Sequence, residues 1–121
     1  MEMRIRGVKN NSNVQYYKIF IMKVNVQAVN FNVDAKLVGF IQDRMDKLEK
    51  YYDKVVSADV FLKVEKTSDK ENKVVEIKIH VPGDEFIVKK QCKTFEEGVD
   101  LCGEALERVL LKRKEKIRTH I

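Results

Sequence analysis

The sequence predicts an α+β protein built as a two-layer sandwich, with a four-stranded sheet and two helices on one face of it. Three observations predict this class. Apolar and polar residues alternate in three short segments, the period of half-buried strands, and a fourth short segment follows a turn signal. Apolar residues recur at spacings of three and four in two longer segments, the period of amphipathic helices. The segments follow in the order β-α-β-β-β-α, and the short connections between the last three strands predict antiparallel hairpins.

The first strand and the first helix are predicted from alternation and from a capping residue. Residues 23–29 alternate, with Val24 and Val26 on one face of a strand. Asp34 is a favourable N-cap, and the helical period that follows it continues to about Tyr51. Gly39 within this helix costs roughly 1 kcal/mol relative to alanine. Its presence there suggests close packing.

The next three strands are separated by turn signals. Residues 57–64 form the second strand, and the polar stretch 67–72 predicts a hairpin loop. The third strand is predicted over 75–81 and the fourth over 86–92. Pro82-Gly83-Asp84 between them predicts a tight turn, because proline fixes φ and glycine tolerates a positive φ.

The second helix is predicted from Thr94 to Arg118. Thr94 and Glu97 have the spacing of a capping box, in which each side chain bonds the backbone N–H of the other residue. Apolar residues then follow at spacings of four, three, four and three on one face of the helix: Phe95, Val99, Cys102, Leu106 and Val109. Three further apolar residues widen this stripe: Leu101, Ala105 and Leu110.

Positive charge is concentrated at the end of this helix. Residues 108–121 contain six Lys or Arg and one Glu, a net +5 that equals the net charge of the whole 121-residue chain. Cations near a helix C-terminus stabilise the helix dipole, but this accounts for one or two residues in a last turn and not for six. The crowding therefore predicts an anionic partner with a phosphate backbone.

The basic residues fall into two rows and one further group. Arg108, Lys112 and Lys116 are spaced i, i+4, i+8 and share one side of the second helix. A second row lies on the first helix, at Arg44, Lys47, Lys50 and Lys54. Lysines on the fourth strand have two interpretations of equal weight, as an extension of the basic surface or as protection of an edge strand against aggregation. These are Lys89, Lys90 and Lys93.

Other function classes are excluded by missing patterns. His80 and His120 have no partner at metal-ligand spacing, and the sequence has no G-x-S-x-G motif and no Gly-rich phosphate loop. We therefore expect no enzyme activity, no metal, no cofactor and no small-molecule substrate. No apolar run approaches the ~20 residues that span a membrane. Cys92 and Cys102 lack C-x-x-C spacing, which predicts small buried side chains in a reducing compartment.

Residues 1–21 differ from the rest, with a polar cluster at 10–13 and a short apolar run at Tyr16–Ile21. We interpret them as an N-terminal extension, separate from the domain at 22–121. Three interpretations stay open. The segment is not native and the chain starts at Met22, the segment is disordered, or Tyr16–Ile21 adds to the first strand.

Three stretches carry a resemblance to a known family. They are Lys47-Leu48-Glu49-Lys50-Tyr51-Tyr52-Asp53-Lys54, Leu62-Lys63-Val64-Glu65-Lys66, and the pattern Leu106-x-Arg108-x-Leu110-x-Lys112-x-Lys114-x-Lys116. Together they resemble the ribosome hibernation promoting factor and ribosome-associated inhibitor family, also described as sigma-factor modulation proteins. The resemblance extends from Met22 to the end of the chain, and its fold is similar to that of double-stranded-RNA-binding domains.

The resemblance implies a cytoplasmic factor of stress or stationary phase that binds whole ribosomes and inhibits translation. It implies contacts with small-subunit rRNA in the mRNA and tRNA channel. The implied rRNA-binding residues are Arg44, Lys47, Lys50, Arg108, Lys112 and Lys116. Additional candidates are Lys54, Lys89, Lys90, Lys93 and Arg113.

The chain departs from the family in two respects. The last helix begins Thr94-Phe95-Glu96-Glu97 in place of an Asp-x-Tyr-like start. The sequence contains neither the dimerisation domain of long members nor the acidic tail of the inhibitor branch, so we expect a short form. Two alternative functions remain, a free-standing binder of RNA duplexes and a protein-interaction module that acts on a transcription factor.

Overall fold

The order and arrangement of the elements confirm the predicted fold class. The structure, a computed structural model, describes residues 22–29, 31–66, 68 and 70–119, with side chains up to Lys116. The three interpretations of residues 1–21 lie outside this range. The elements are β1 (Lys23–Val29), α1 (Ala35–Asp46), a 3₁₀ turn (Lys47–Lys50), β2 (Ser57–Val64), β3 (Lys73–Val81), β4 (Asp84–Cys92) and α2 (Phe95–Thr119).

The strands form one mixed sheet in the order β1-β2-β3-β4. β2, β3 and β4 are antiparallel, as the hairpin turns predict. Gly83 in the β3–β4 turn has a φ of 78°, a left-handed conformation that glycine adopts at little cost. β1 is parallel to β2 because the connection between them crosses back through α1.

The core lies between one face of the sheet and the two helices. Alternate residues of each strand enter it, which is why the strands show a period of two. Among the described residues, the apolar side chains with no exposed surface are Val24, Ile41, Met45, Leu48, Ala58, Val60, Leu62, Val75, Ile77, Ile79, Val99, Cys102, Leu106 and Leu110. The residues that alternate with these along each strand point to the other face of the sheet, which neither helix covers.

Three local expectations differ from the structure. α1 ends at Asp46 and continues as the 3₁₀ turn, instead of running to Tyr51. A Cβ added at Gly39 would meet no atom within 4 Å, whereas one added at Gly98 would meet Val75 Cγ2 at 2.6 Å. Close packing therefore occurs at α2 and not at Gly39. On α2, Leu110 is fully buried and Val109 only half-buried, so the apolar face is centred one residue later at this end.

Candidate nucleic-acid interface

Helix α2 is the longest element, and its capping and charge distribution follow helix rules. The Thr94 hydroxyl accepts a hydrogen bond from the Glu97 N–H at 3.1 Å, one half of the predicted capping box. Glu96 and Glu97 lie in its first turn, where the helix dipole favours negative charge. The basic residues occupy the opposite end. The helix dipole therefore favours acidic residues at the start of α2 and basic residues at its end, but it accounts for only one or two of the six cations.

The flank of α2 that faces α1 is identified by Gly103. A Cβ at this position would lie 2.5 Å from Arg44 Cζ, so the α1 side chain packs directly on the glycine backbone. Lys112 follows nine residues later, which at 100° per residue places it 180° around the helix from Gly103. By the same count Arg108 and Lys116 lie within about 40° of Lys112. The three cations therefore occupy the flank turned away from α1.

The C-terminal part of this flank lies beside the beginning of β4. Lys112 and Lys116 line a cleft there together with Phe86. Arg108, Lys112 and Lys116 are exposed, and among the described residues neither Arg108 nor Lys112 has an ion-pair partner. We call these three residues the α2 basic flank.

Arg44 differs from the expectation, because its guanidinium is buried and neutralised inside the domain. Its side chain is only 9% exposed. Nε donates to Asp100 Oδ1 at 2.8 Å, and Nη1 forms an ion pair with Glu107 Oε2 at 2.6 Å. Burial disfavours the charged form, but the two carboxylates outweigh burial and the pKa of Arg44 is raised. Arg44 joins α1 to α2 and presents no free charge to a partner.

Arg113 is also held by internal contacts. Nη2 donates to the Pro82 carbonyl at 2.8 Å, and Nη1 pairs with Asp84 Oδ2 at 3.2 Å. The guanidinium carbon lies 6.0 Å from the ring centroids of both Tyr52 and Phe86, a cation–π distance. This additional candidate therefore fastens the end of α2 to the β3–β4 turn.

The other candidates are exposed but are distributed over several elements. Lys47 and Lys50 lie in the 3₁₀ turn and Lys54 in the turn after it, so the predicted row on α1 does not continue as one helical stripe. β4 is an edge strand, as one of the two interpretations of its lysines requires. Lys89 is paired with Glu76, and Lys90 with Val75, so the two lysines point to opposite faces of the sheet. Lys93, which follows β4, is exposed as well.

Four residues of this region were not expected from the sequence. Asp100 and Glu107 hold Arg44, while Asp84 and Phe86 contact Arg113. A signal for the first pair does exist. Asp100, Gly103 and Glu107 lie at i, i+3 and i+7, so one helix face presents a small residue between two carboxylates. In this structure the pattern marks the place where the side chain of Arg44 packs.

The described residues provide no metal-binding cluster. No group of three or more His, Cys, Asp or Glu side chains among them could hold a metal ion. His80 Nε2 lies 2.9 Å from Asp59 Oδ2 on the open face of the sheet, while His120 is outside the described residues.

Both cysteines are free and buried, and burial raises the pKa of the Cys102 thiol to about 12. Neither α1 nor α2, over its described residues, has the length and hydropathy of a membrane-spanning helix.

The fold and this surface define a two-layer α+β domain with a basic helix flank beside a sheet edge. The family model for sigma 54 modulation protein / S30EA ribosomal protein matches residues 24–118, and the chain belongs to this family. The predicted family membership is therefore confirmed.

Two relatives and one solved structure illustrate the similarity. The chain is 30% identical over 95 residues to a ribosome hibernation promoting factor of Azotobacter vinelandii, covering 78% of this chain and 85% of the relative. It is 28% identical over 95 residues to the factor of the same name from Pseudomonas putida, covering 78% and 89%. A ribosomal subunit interface protein from Coxiella burnetii has the same fold, with a TM-score of 0.67 and 16% identity over 76% of this chain and 97% of that one.

Proposed function

We propose that this protein is a non-catalytic ribosome-binding hibernation factor that inhibits translation. It lies against rRNA in the mRNA and tRNA channel of the small subunit, and it acts in the cytoplasm under stress or in stationary phase. The names of its relatives and its family membership support the ribosomal assignment. The α2 basic flank is the main contact, with Lys47 and Lys50 as a second group. Arg44 is left out of this surface.

The observation that most strongly supports this proposal is the difference between the neutralised and the unpaired basic residues of the described part of the chain. The domain neutralises Arg44 and Arg113 with its own carboxylates but leaves Arg108 and Lys112 without an ion-pair partner among the described residues. Like charges at i, i+4 destabilise a helix by a few tenths of a kcal/mol per pair. Phosphate groups that lie along the flank would relieve this repulsion and release their own counterions.

Charge reversal of the flank tests the proposal. In the Lys112→Glu, Lys116→Glu double variant we expect binding to purified small subunits at least about a hundredfold weaker than in the wild type, because two phosphate contacts become repulsive. Co-sedimentation with small subunits measures this change, and inhibition of cell-free translation should decline in parallel. Both residues lie off the buried face, so the circular dichroism spectrum should not change.

The matched control reverses two lysines elsewhere. Lys36 at the start of α1 and Lys66 after β2 are exposed. The double variant Lys36→Glu, Lys66→Glu has the same net charge as the flank variant, since two reversals lower +5 by four to +1. It should bind within about threefold of the wild type. Equal loss in the two variants would show that net charge alone drives binding and would contradict the assigned surface.

The two alternatives are separated by competition and by nuclease. A free-standing duplex binder would be displaced from small subunits by an arbitrary RNA duplex at equal phosphate concentration. The family description also includes sigma 54 modulation, which corresponds to the protein-interaction alternative. An interaction with a transcription factor that survives nuclease treatment would favour this alternative. For a hibernation factor, we expect that an RNA duplex does not displace the protein from small subunits, and that digestion of the rRNA releases it.

A further inference from the structure

A small cleft lies between the start of β4 and the last turns of α2. Its volume is about 260 Å³. Its lining combines an apolar part, Phe86 and Val109, with a charged part, and both apolar residues are half-buried. The charged residues of the lining are Asp84, Lys112, Arg113 and Lys116.

The wall of this cleft is fixed by Arg113. The guanidinium pairs with Asp84 at 3.2 Å, donates to the Pro82 carbonyl at 2.8 Å and lies 6.0 Å from the centre of the Phe86 ring. These contacts hold the ring in position before any ligand arrives. They also neutralise Asp84, the one acidic residue of the lining.

The remaining charge of the cleft is positive. Lys112 and Lys116 are exposed and one helical turn apart, so their ammonium groups can reach the same anion. An occupant that suits this lining combines a planar apolar group with a negative charge beside it. A cleft of this volume accommodates one ring system, whereas a stable protein–protein interface buries roughly 800 Å² on each partner.

We propose that this cleft binds a single unpaired nucleotide of RNA. The base packs against Phe86 and Val109, and the adjoining phosphate lies between Lys112 and Lys116. Aromatic side chains beside a basic groove are the general means by which proteins hold unpaired bases. This inference rests on the proposed function and adds to it that part of the target rRNA is single-stranded or has a base displaced from its stack.

The test is an NMR titration of the whole chain with adenosine 5′-monophosphate, and in parallel with inorganic phosphate. We expect amide shift changes confined to residues 84–88 and 109–116, with the nucleotide binding about tenfold tighter than phosphate. Phe86→Leu should remove most of this difference, because base stacking on an aromatic ring contributes about fivefold or more. Lys112→Gln should weaken both ligands.

Ile87 supplies the matched control, since it is the next residue of β4 and is 54% exposed on the other face of the sheet. Ile87→Ala should keep the nucleotide affinity of the wild type. The amide spectrum of each variant shows directly whether it folds, and Phe86→Tyr, which keeps an aromatic ring, should restore the affinity lost in Phe86→Leu.

Three results would overturn the inference. They are equal affinity for the nucleotide and phosphate, shift changes away from the cleft, and tighter binding of an acidic aromatic dipeptide than of the nucleotide. The two proposals fail separately. Ribosome binding without nucleotide in the cleft would contradict only the cleft, and nucleotide in the cleft without ribosome binding would contradict only the proposed function.

Discussion

Arg44 and Arg108 carry the same side chain, but their neighbours give them opposite roles. Arg44 is enclosed by Asp100 and Glu107 of α2, whereas Arg108, the next residue after Glu107, is exposed. Burying a guanidinium is tolerated only when its charge and hydrogen bonds are satisfied. Asp100 and Glu107 neutralise the charge of Arg44, whereas the charge of Arg108 is hydrated by solvent.

Replacing Arg44 should therefore destabilise the domain. Arg44→Met keeps the length of the side chain but leaves Glu107, whose side chain is 19% exposed, without a partner. Loss of one partner from a buried pair costs roughly 3–5 kcal/mol, and we expect roughly 1–3 kcal/mol here because Asp100 is 60% exposed and can be hydrated. Urea unfolding measures the change.

Arg108→Met is the control for this prediction, because it makes the same substitution at an exposed position of the same helix pair. Its free energy of unfolding should stay within about 0.5 kcal/mol of the wild type. A larger loss of unfolding free energy in Arg108→Met than in Arg44→Met would contradict the assignment of Arg44 as a link between α1 and α2.

Asp59 on the open sheet face makes stability depend on pH. Burial works to raise the pKa of Asp59, but hydrogen bonds with His80 and Asn25 and the charges of His80 and Lys78 outweigh burial and lower it below 3.8. The unfolded chain then binds more protons than the folded one as pH falls through this range. The contribution of Asp59 is present above pH ~4 and is lost as pH falls through its folded pKa.

Unfolding free energies measured between pH 6 and pH 2 test this linkage. The loss of stability on acidification should be smaller in Asp59→Asn than in the wild type, because the variant cannot take up that proton. His80 lies 2.9 Å from Asp59 and 3.5 Å from Glu85, so this side chain contacts both carboxylates. Parallel curves for the two proteins would contradict the prediction.

At the scale of elements, the contact between α1 and α2 depends on Gly103. A Cβ added there would lie 2.5–2.8 Å from three atoms of the Arg44 guanidinium, too close for any real contact. Two carboxylates hold that guanidinium, so it cannot move aside without losing them. Gly39 on α1 is the opposite case, with open space where the Cβ would lie.

Alanine substitution at the two glycines should therefore have opposite effects. Gly39→Ala should stabilise the domain by up to about 1 kcal/mol through helix propensity. Gly103→Ala should destabilise it, because the gain in propensity is outweighed by displacement of Arg44. Thermal unfolding measures both variants. In the Arg44→Met background Gly103→Ala should become stabilising, and an unchanged effect in that background would rule out the proposed contact.

The elements themselves were predictable because their signals are local. Alternation along residues 75–81 and the cap at Asp34 depend on a few consecutive residues, and both predictions are confirmed. The role of Arg44 was not predictable in the same way, since Asp100 lies 56 residues away and is brought close only by helix packing. The spacing of Arg108, Lys112 and Lys116 does predict a shared flank, but it does not predict that the end of this flank lies beside β4. The position of the flank follows from the packing of α2, in which Gly103 faces Arg44 of α1.

At the scale of the whole molecule, the domain separates its neutral and its basic surfaces. The net charge of residues 108–121 equals that of the whole chain, so the remainder is nearly neutral. α2 runs across the sheet and carries its charged end to the β3–β4 turn, where Arg113 fastens it. An approaching polyanion therefore meets one end of the molecule first.

The salt dependence of binding to purified small ribosomal subunits tests the central claim most directly. If Lys47, Lys50 and the α2 basic flank contact about five phosphates, the association constant should fall by roughly several hundredfold between 50 and 200 mM salt. Lys112→Gln, Lys116→Gln should reduce the slope of log K against log salt by about two, one for each contact removed. An association constant that barely changes over this range, or a slope that the double variant leaves unchanged, would contradict the account.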